Sequence, residues 1–141
     1  MAAEFELSET LEATRDSAIS YFLNVEDIPK YHPQMARKVE VLEKSDGAIK
    51  YRLEGKVLLK KIQSVNNMAV NREKGELVTE TLEGDGKGSV ITMNFQESGG
   101  KTEVKLKATM ELGALSALGK GKVASMWREA LQQAKQVLEK K

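Results

Sequence analysis

The sequence predicts an α+β fold: a curved antiparallel sheet of about seven strands, two short helices near the start, and one long C-terminal helix packed on the sheet. Three observations carry this expectation. From Arg37 to Met110, apolar and polar residues alternate with a period of two. Asp46-Gly47, Lys74-Gly75, Gly84-Asp85-Gly86 and Gly99-Gly100 punctuate that stretch as short turns. From Val123 to Lys140 the period changes: Val123, Met126, Trp127, Ala130, Leu131, Ala134, Val137 and Leu138 form one stripe, with Arg128, Glu129, Gln132, Lys135, Gln136 and Glu139 opposite. Such a helix is roughly 27 Å long and needs an apolar surface to cover.

The elements follow in order. Phe5, Leu7 and Leu11 alternate with Glu4, Glu6, Ser8, Thr10 and Glu12 as a half-buried strand. Glu9 falls on the apolar phase, and a bulge that turns it outward is the expected remedy. Thr14 is placed to cap a helix holding Ala18, Ile19, Phe22 and Leu23, with Asp16 in its first turn. Asn24 ends that helix. Val25–Tyr31 has room for a further turn or two before Pro33 stops it. Val39 and Val41 open the strand region, and Asp46-Gly47 reads as a turn in which both residues tolerate positive φ. Ile49, Tyr51, Leu53 and Val57 share one face, with Gly55 at a bulge or bend. Strands over Ile62–Val70, Leu77–Leu82, Ser89–Gln96 and the Val104, Leu106, Ala108, Met110 series complete an antiparallel meander. Gly119 and Gly121 stand where the helical phase changes, which marks a kink or a fresh start.

The chain has 141 residues and reads as one domain, 1–141, large enough to fold without a staple. It has no cysteine, which excludes disulfides, thiolate metal ligands and a thiol nucleophile. The net charge of +1 gives no electrostatic footprint for nucleic acid. The N-terminus lacks the basic and apolar regions of a secretory signal, and no apolar run is long enough to span a bilayer. The expectation is a cytoplasmic protein, a monomer or weak dimer, with a protein partner left open.

The order of elements resembles the START-like or Bet v 1-like helix-grip superfamily, which includes polyketide cyclases and relatives associated with carbon monoxide dehydrogenase. The resemblance is carried by the opening strand Glu4–Ala13 feeding Ile19-Ser20-Tyr21-Phe22, and by Val25–Pro33 as a second small helix and turn. The late hairpin Ser98–Val104 and the glycine-spaced entry to the last helix carry the rest. It implies a sheet gripping the C-terminal helix around an internal pocket for an apolar or amphipathic ligand. The superfamily has no universal catalytic set, so no residue is carried over as catalytic.

The chemistry legible in the residues is sparse. His32 is the only histidine; it lies in a turn between Tyr31 and Pro33 and reads as a surface or packed residue rather than a base. One histidine with scattered carboxylates gives no metal site, and no cofactor is expected. Glu83–Gly88 looks like a phosphate loop but leads into no helix, so it reads as a hairpin. The expected ligand-binding walls are Tyr51, Leu53, Met68, Thr79, Thr81, Ile91, Met93, Leu106, Met110, Met126 and Trp127, mostly apolar with a few hydroxyls. Leu115 and Leu118 join the expected ligand-binding set; their segment, Gly113 to Lys122, reads as a simple connection from the last strand to the helix or, functionally, as a flexible lip beside the mouth of the cavity. The leading expectation is binding or transport of a small hydrophobic molecule such as a lipid, quinone or polyketide-like compound. The first alternative is a cyclase or dehydratase using Tyr31, His32, Tyr51 or Glu9 for protons. The second is a protein-interaction module with a filled interior and an exposed apolar patch.

Overall fold

The computed structural model describes residues 2–57, 60–111 and 119–140. Strand β1 (Ala2–Leu11) leads into helix α1 (Arg15–Leu23). Thr14 caps α1: its Oγ1 accepts from the Ser17 amide at 3.3 Å, satisfying a donor that the first helical turn leaves without a partner. Asn24 closes the helix, a 3-10 turn runs over Val25–Asp27, and helix α2 (Ile28–Tyr31) starts with Pro29 in its first turn. Strands β2 (Lys38–Lys44), β3 (Ala48–Val57), β4 (Lys60–Asn71), β5 (Glu76–Gly84), β6 (Val90–Ser98) and β7 (Lys101–Glu111) follow, and helix α3 (Gly119–Glu139) is the last element. The described helix opens at Gly119 rather than Val123; residues 112–118, on which the choice between a kink and a fresh start turns, lie outside the described residues.

The seven strands form one antiparallel sheet in the order β1-β7-β6-β5-β4-β3-β2. Six strands run as a meander, and β1 pairs beside the last of them. Since β1 and β2 occupy opposite edges, the α1–α2 connection spans the sheet, with α1 on β6 and β7 and α2 against β2 and α3. The core fills the β1–β7–β6 side. There Leu11, Phe95, Val104 and Leu106 are fully buried, and Leu131, Ala134 and Leu138 of α3 close over them. Phe22 of α1 packs against Phe95 with the rings tilted at 58° and their centroids 5.8 Å apart.

Several local expectations need correction. Glu9 lies in an unbroken β1–β7 register opposite Val104, so no bulge turns it outward. It stays on the inner phase and reaches the Lys135 ammonium of α3 at 3.8 Å, an amphipathic solution available because the site lies at the sheet edge. Gly55 is not at a bulge either; it pairs in register with Ile62. A Cβ there would sit 3.3 Å from the Met35 carbonyl oxygen, so the glycine lets the loop after α2 lie against the sheet. The register shifts fall instead between Val41 and Glu43 and between Val65 and Asn66. The β2–β3 turn, Ser45–Gly47, is closed by the Ser45 amide on the Ala48 carbonyl at 2.9 Å, and Gly47 is not among the positive-φ glycines.

Candidate ligand cavity

The helices cover the β3–β4–β5 side of the sheet less tightly, and a cavity of ≈ 190 Å³ lies between them. A single water needs only ~10–15 Å³ on this scale, so the space suits a multi-atom guest. The cause is readable in the side chains. The N-terminal half of α3 presents Val123, Met126, Trp127 and Ala130 toward this side, while Leu131 and Leu138 are spent on the filled core. On the sheet, hydroxyl and amide side chains of β4 and β5 replace the large aliphatics that fill the other end.

Tyr51, Leu53, Met68, Thr79, Thr81, Ile91, Met93, Met110, Met126 and Trp127 all line the cavity. Leu106 does not: its side chain is buried among the core residues of β1, β6 and β7. Leu115 and Leu118 lie outside the described residues, and so does most of the expected lip. Gly119 has φ +78°, a conformation that disfavours any β-branched replacement. Glu9 is absent from the wall. Glu83–Gly88 is a hairpin between β5 and β6, and Asp85 Oδ2 accepts from the Gln63 amide at 2.9 Å, tying the hairpin to β4.

Sequence reading missed a polar array at the helical end. The Tyr21 hydroxyl stands 2.7 Å from His32 Nε2, and His32 Nδ1 stands 2.8 Å from Gln133 Oε1. Gln133 Oε1 also accepts from Gln34 Nε2 at 2.7 Å. An amide oxygen can only accept, so the histidine proton sits on Nδ1; Nε2 then accepts from the Tyr21 O–H. His32 is buried, and burial lowers its pKa below 6.5, partly opposed by the Gln133 hydrogen bond. Burial, then the neighbouring Tyr31 and Asp27, raises the Tyr21 pKa, so both groups are uncharged at neutral pH. The array joins α1, the end of α2 and α3, and the His32–Gln133 bond alone bridges 101 positions of sequence. Gln133 lies three residues after Ala130 on the edge of the apolar stripe, which was the available signal.

A second polar group sits in the sheet. Asn66 Oδ1 accepts from Thr81 Oγ1 at 2.7 Å, and Asn66 Nδ2 donates to Ser64 Oγ at 3.0 Å. Ser64 and Asn66 share the inward phase of β4 with Ile62 and Met68, a phase signal visible in the sequence. Among the described residues no three of His, Asp and Glu converge as metal donors, and no helix is long and apolar enough to cross a membrane.

No family model matches the sequence, and no curated protein matches it by sequence. Solved structures do match in shape. A START superfamily protein from Mycobacterium smegmatis aligns over 97% of each chain with TM-score 0.81 at 12% identity. The Zhui aromatase/cyclase from Streptomyces sp. R1128 aligns over 95% of this chain and 87% of its own, TM-score 0.71, at 15% identity. The major latex-like protein 151 of Panax ginseng aligns over 97% of each chain, TM-score 0.72, at 10% identity. The chain therefore has the START/Bet v 1 helix-grip fold. At these identities the likeness establishes architecture alone.

Proposed function

We propose that the chain binds or carries a small hydrophobic or amphipathic molecule, of lipid, quinone or polyketide-like character, in the cavity between the sheet and α3. The observation that supports this reading is the cavity itself: a mostly apolar wall of Met, Leu, Ile and Trp side chains with a few placed polar groups. Five methionines (Met35, Met68, Met93, Met110 and Met126) give that wall adaptable, polarisable surface suited to more than one guest shape. Native mass spectrometry of freshly purified protein, with organic extraction of anything bound, tests it. A stoichiometric apolar compound is the expected result. An empty protein with no thermal shift across a lipid, quinone and polyphenol panel overturns the proposal.

A cyclase- or dehydratase-like enzyme is the second reading, and the Tyr21–His32–Gln133 array favours it, since Tyr31, His32 and Tyr51 also line the cavity. It stands second because both His32 nitrogens are engaged, leaving the Tyr21 oxygen as the only atom of the array through which a proton would pass to a guest. The interaction-module reading needed a filled interior and an exposed apolar patch. Among the described residues Leu42, at 37% exposure, is the one exposed large hydrophobic side chain.

A further inference from the structure

Tyr51, Asn66 and Thr81 occupy one row across three strands. Tyr51 is the register partner of Asn66, and Asn66 is the register partner of Thr81. Directly opposed residues of adjacent strands present their side chains on the same face, within reach of one another. All three line the cavity. The β4–β5 register shift, between Val65 and Asn66, falls immediately beside the row, and such shifts re-aim side chains locally.

Tyr51 is only 4% exposed, yet its hydroxyl has no hydrogen-bond partner among the described residues. No described side-chain nitrogen or oxygen is both sealed in and unpartnered, so this hydroxyl opens onto the cavity rather than into packed core. A guest that covers it without accepting its proton leaves a polar group unsatisfied, whereas a guest atom that accepts is rewarded. Its neighbours are complementary. Asn66 uses one of its two N–H donors on Ser64 and one oxygen lone pair on Thr81. The Ser64 hydroxyl proton and the Thr81 oxygen lone pairs are left to face outward from that chain. The row therefore offers both donors and an acceptor, all neutral.

Charge around the cavity points the same way. The ionisable carboxylates in the wall are Asp27, Asp85 and Glu111, and no Lys or Arg lines it among the described residues. The lone imidazole is buried, which disfavours its charged form, and both its nitrogens are engaged by Tyr21 and Gln133. Among these residues an anionic head group finds no counter-ion and meets carboxylates.

We propose that Tyr51 and the Ser64–Asn66–Thr81 array receive one uncharged oxygen-bearing group of the ligand, a carbonyl or a hydroxyl, so that the cavity takes neutral oxygenated apolar molecules and discriminates against carboxylate and phosphate head groups. The inference rests on the carrier reading above and names the chemical class within it. Tyr51 donates to the guest oxygen; Thr81 accepts when that oxygen carries a proton.

The test uses the full chain and its single tryptophan, Trp127, whose indole lines the cavity, as the fluorescent reporter. The probes are 1-decanol, decanoate and p-xylene. Decanol should bind on the order of a hundredfold more tightly than decanoate near neutral pH, where only ~10⁻³ of a carboxylic acid is protonated. Decanoate should tighten about tenfold for each pH unit of acidification as the neutral acid becomes available. Tyr51→Phe deletes one oxygen and keeps the ring; it should weaken decanol about three- to tenfold and leave p-xylene unchanged. Thr81→Val provides a second variant of similar shape. Equal binding of decanol and decanoate, or unchanged decanol binding in both variants, overturns this inference while the carrier reading stands. If p-xylene, decanol and decanoate all fail to bind by fluorescence and by calorimetry, the carrier reading falls and the inference with it.

Discussion

The buried histidine makes the fold acid-sensitive in a predictable window. His32 accepts from Tyr21 and donates to Gln133, an arrangement that fits the neutral ring. A second ring proton would point at the Tyr21 hydroxyl, which would have to turn from donor to acceptor inside a buried site. Burial disfavours the charged ring and outweighs the Gln133 hydrogen bond, so the folded pKa lies below the ordinary value of 6.5. Above about pH 6.5 neither folded nor unfolded chain holds the proton, and the contribution to stability is fully present. Below it the unfolded chain binds a proton that the folded chain refuses, so stability falls as pH falls, at up to ~1.4 kcal/mol per pH unit for one proton. The slope ends once pH drops through the folded pKa. Because there is one histidine, its imidazole NMR titration is unambiguous, and urea unfolding across the same range measures the linked stability. The difference between the native chain and His32→Gln isolates this proton from every other titrating group. An imidazole midpoint at or above 6.5, or parallel pH profiles for the two proteins, refutes the reasoning.

Two substitutions test the packing. Gly84 has φ +85°, and a Cβ there would run into the Gln63 carbonyl oxygen, so Gly84→Ala should cost at least ~1–2 kcal/mol in chemical denaturation. Gly47→Ala, where a Cβ meets nothing within 4 Å and φ is not positive, serves as the near-neutral control; equal losses at the two sites would sink the account. Leu106→Ala should destabilise by ~2–5 kcal/mol because Leu106 is 1% exposed in the filled core. At the same time it should leave probe affinity intact under native conditions, since Leu106 is absent from the cavity wall; a selective loss of binding with little loss of stability would contradict that placement.

Much of the cavity wall was legible because a strand has a strict period. Once Tyr51 and Leu53 are assigned inward, the phase carries the same face through Met68, Thr79, Thr81, Ile91, Met93 and Met110. The same rule placed Leu106 inward, which is correct, and could not say whether the inward space there is filled. That depends on which part of α3 lies above it. Ser64 and Asn66 sit on the inward phase too, but polar residues on an apolar phase read as interruptions until a row across three strands gives them partners. Glu9 was misread for a related reason: phase places it inward, and only the packed helix supplies Lys135. Tyr21, His32 and Gln133 carry no joint signal, because hydrogen bonds between residues 11 and 101 positions apart leave no period in the chain.

By itself the sequence determined the strands, the turns, the Thr14 cap and the long final helix, along with the absence of any thiol chemistry. These follow from local sterics, period and composition, which each stretch of chain carries within it. The tertiary structure alone decided where the core is filled and where it is hollow. It decided that Gly55 serves a close approach, and that His32 is buried between Tyr21 and Gln133. It also decided that Tyr51 presents its hydroxyl to the cavity beside Asn66 and Thr81. Each of these depends on which distant residues the pairing of the strands and the lie of α3 bring together, and that is a property of packing rather than of any local run of residues.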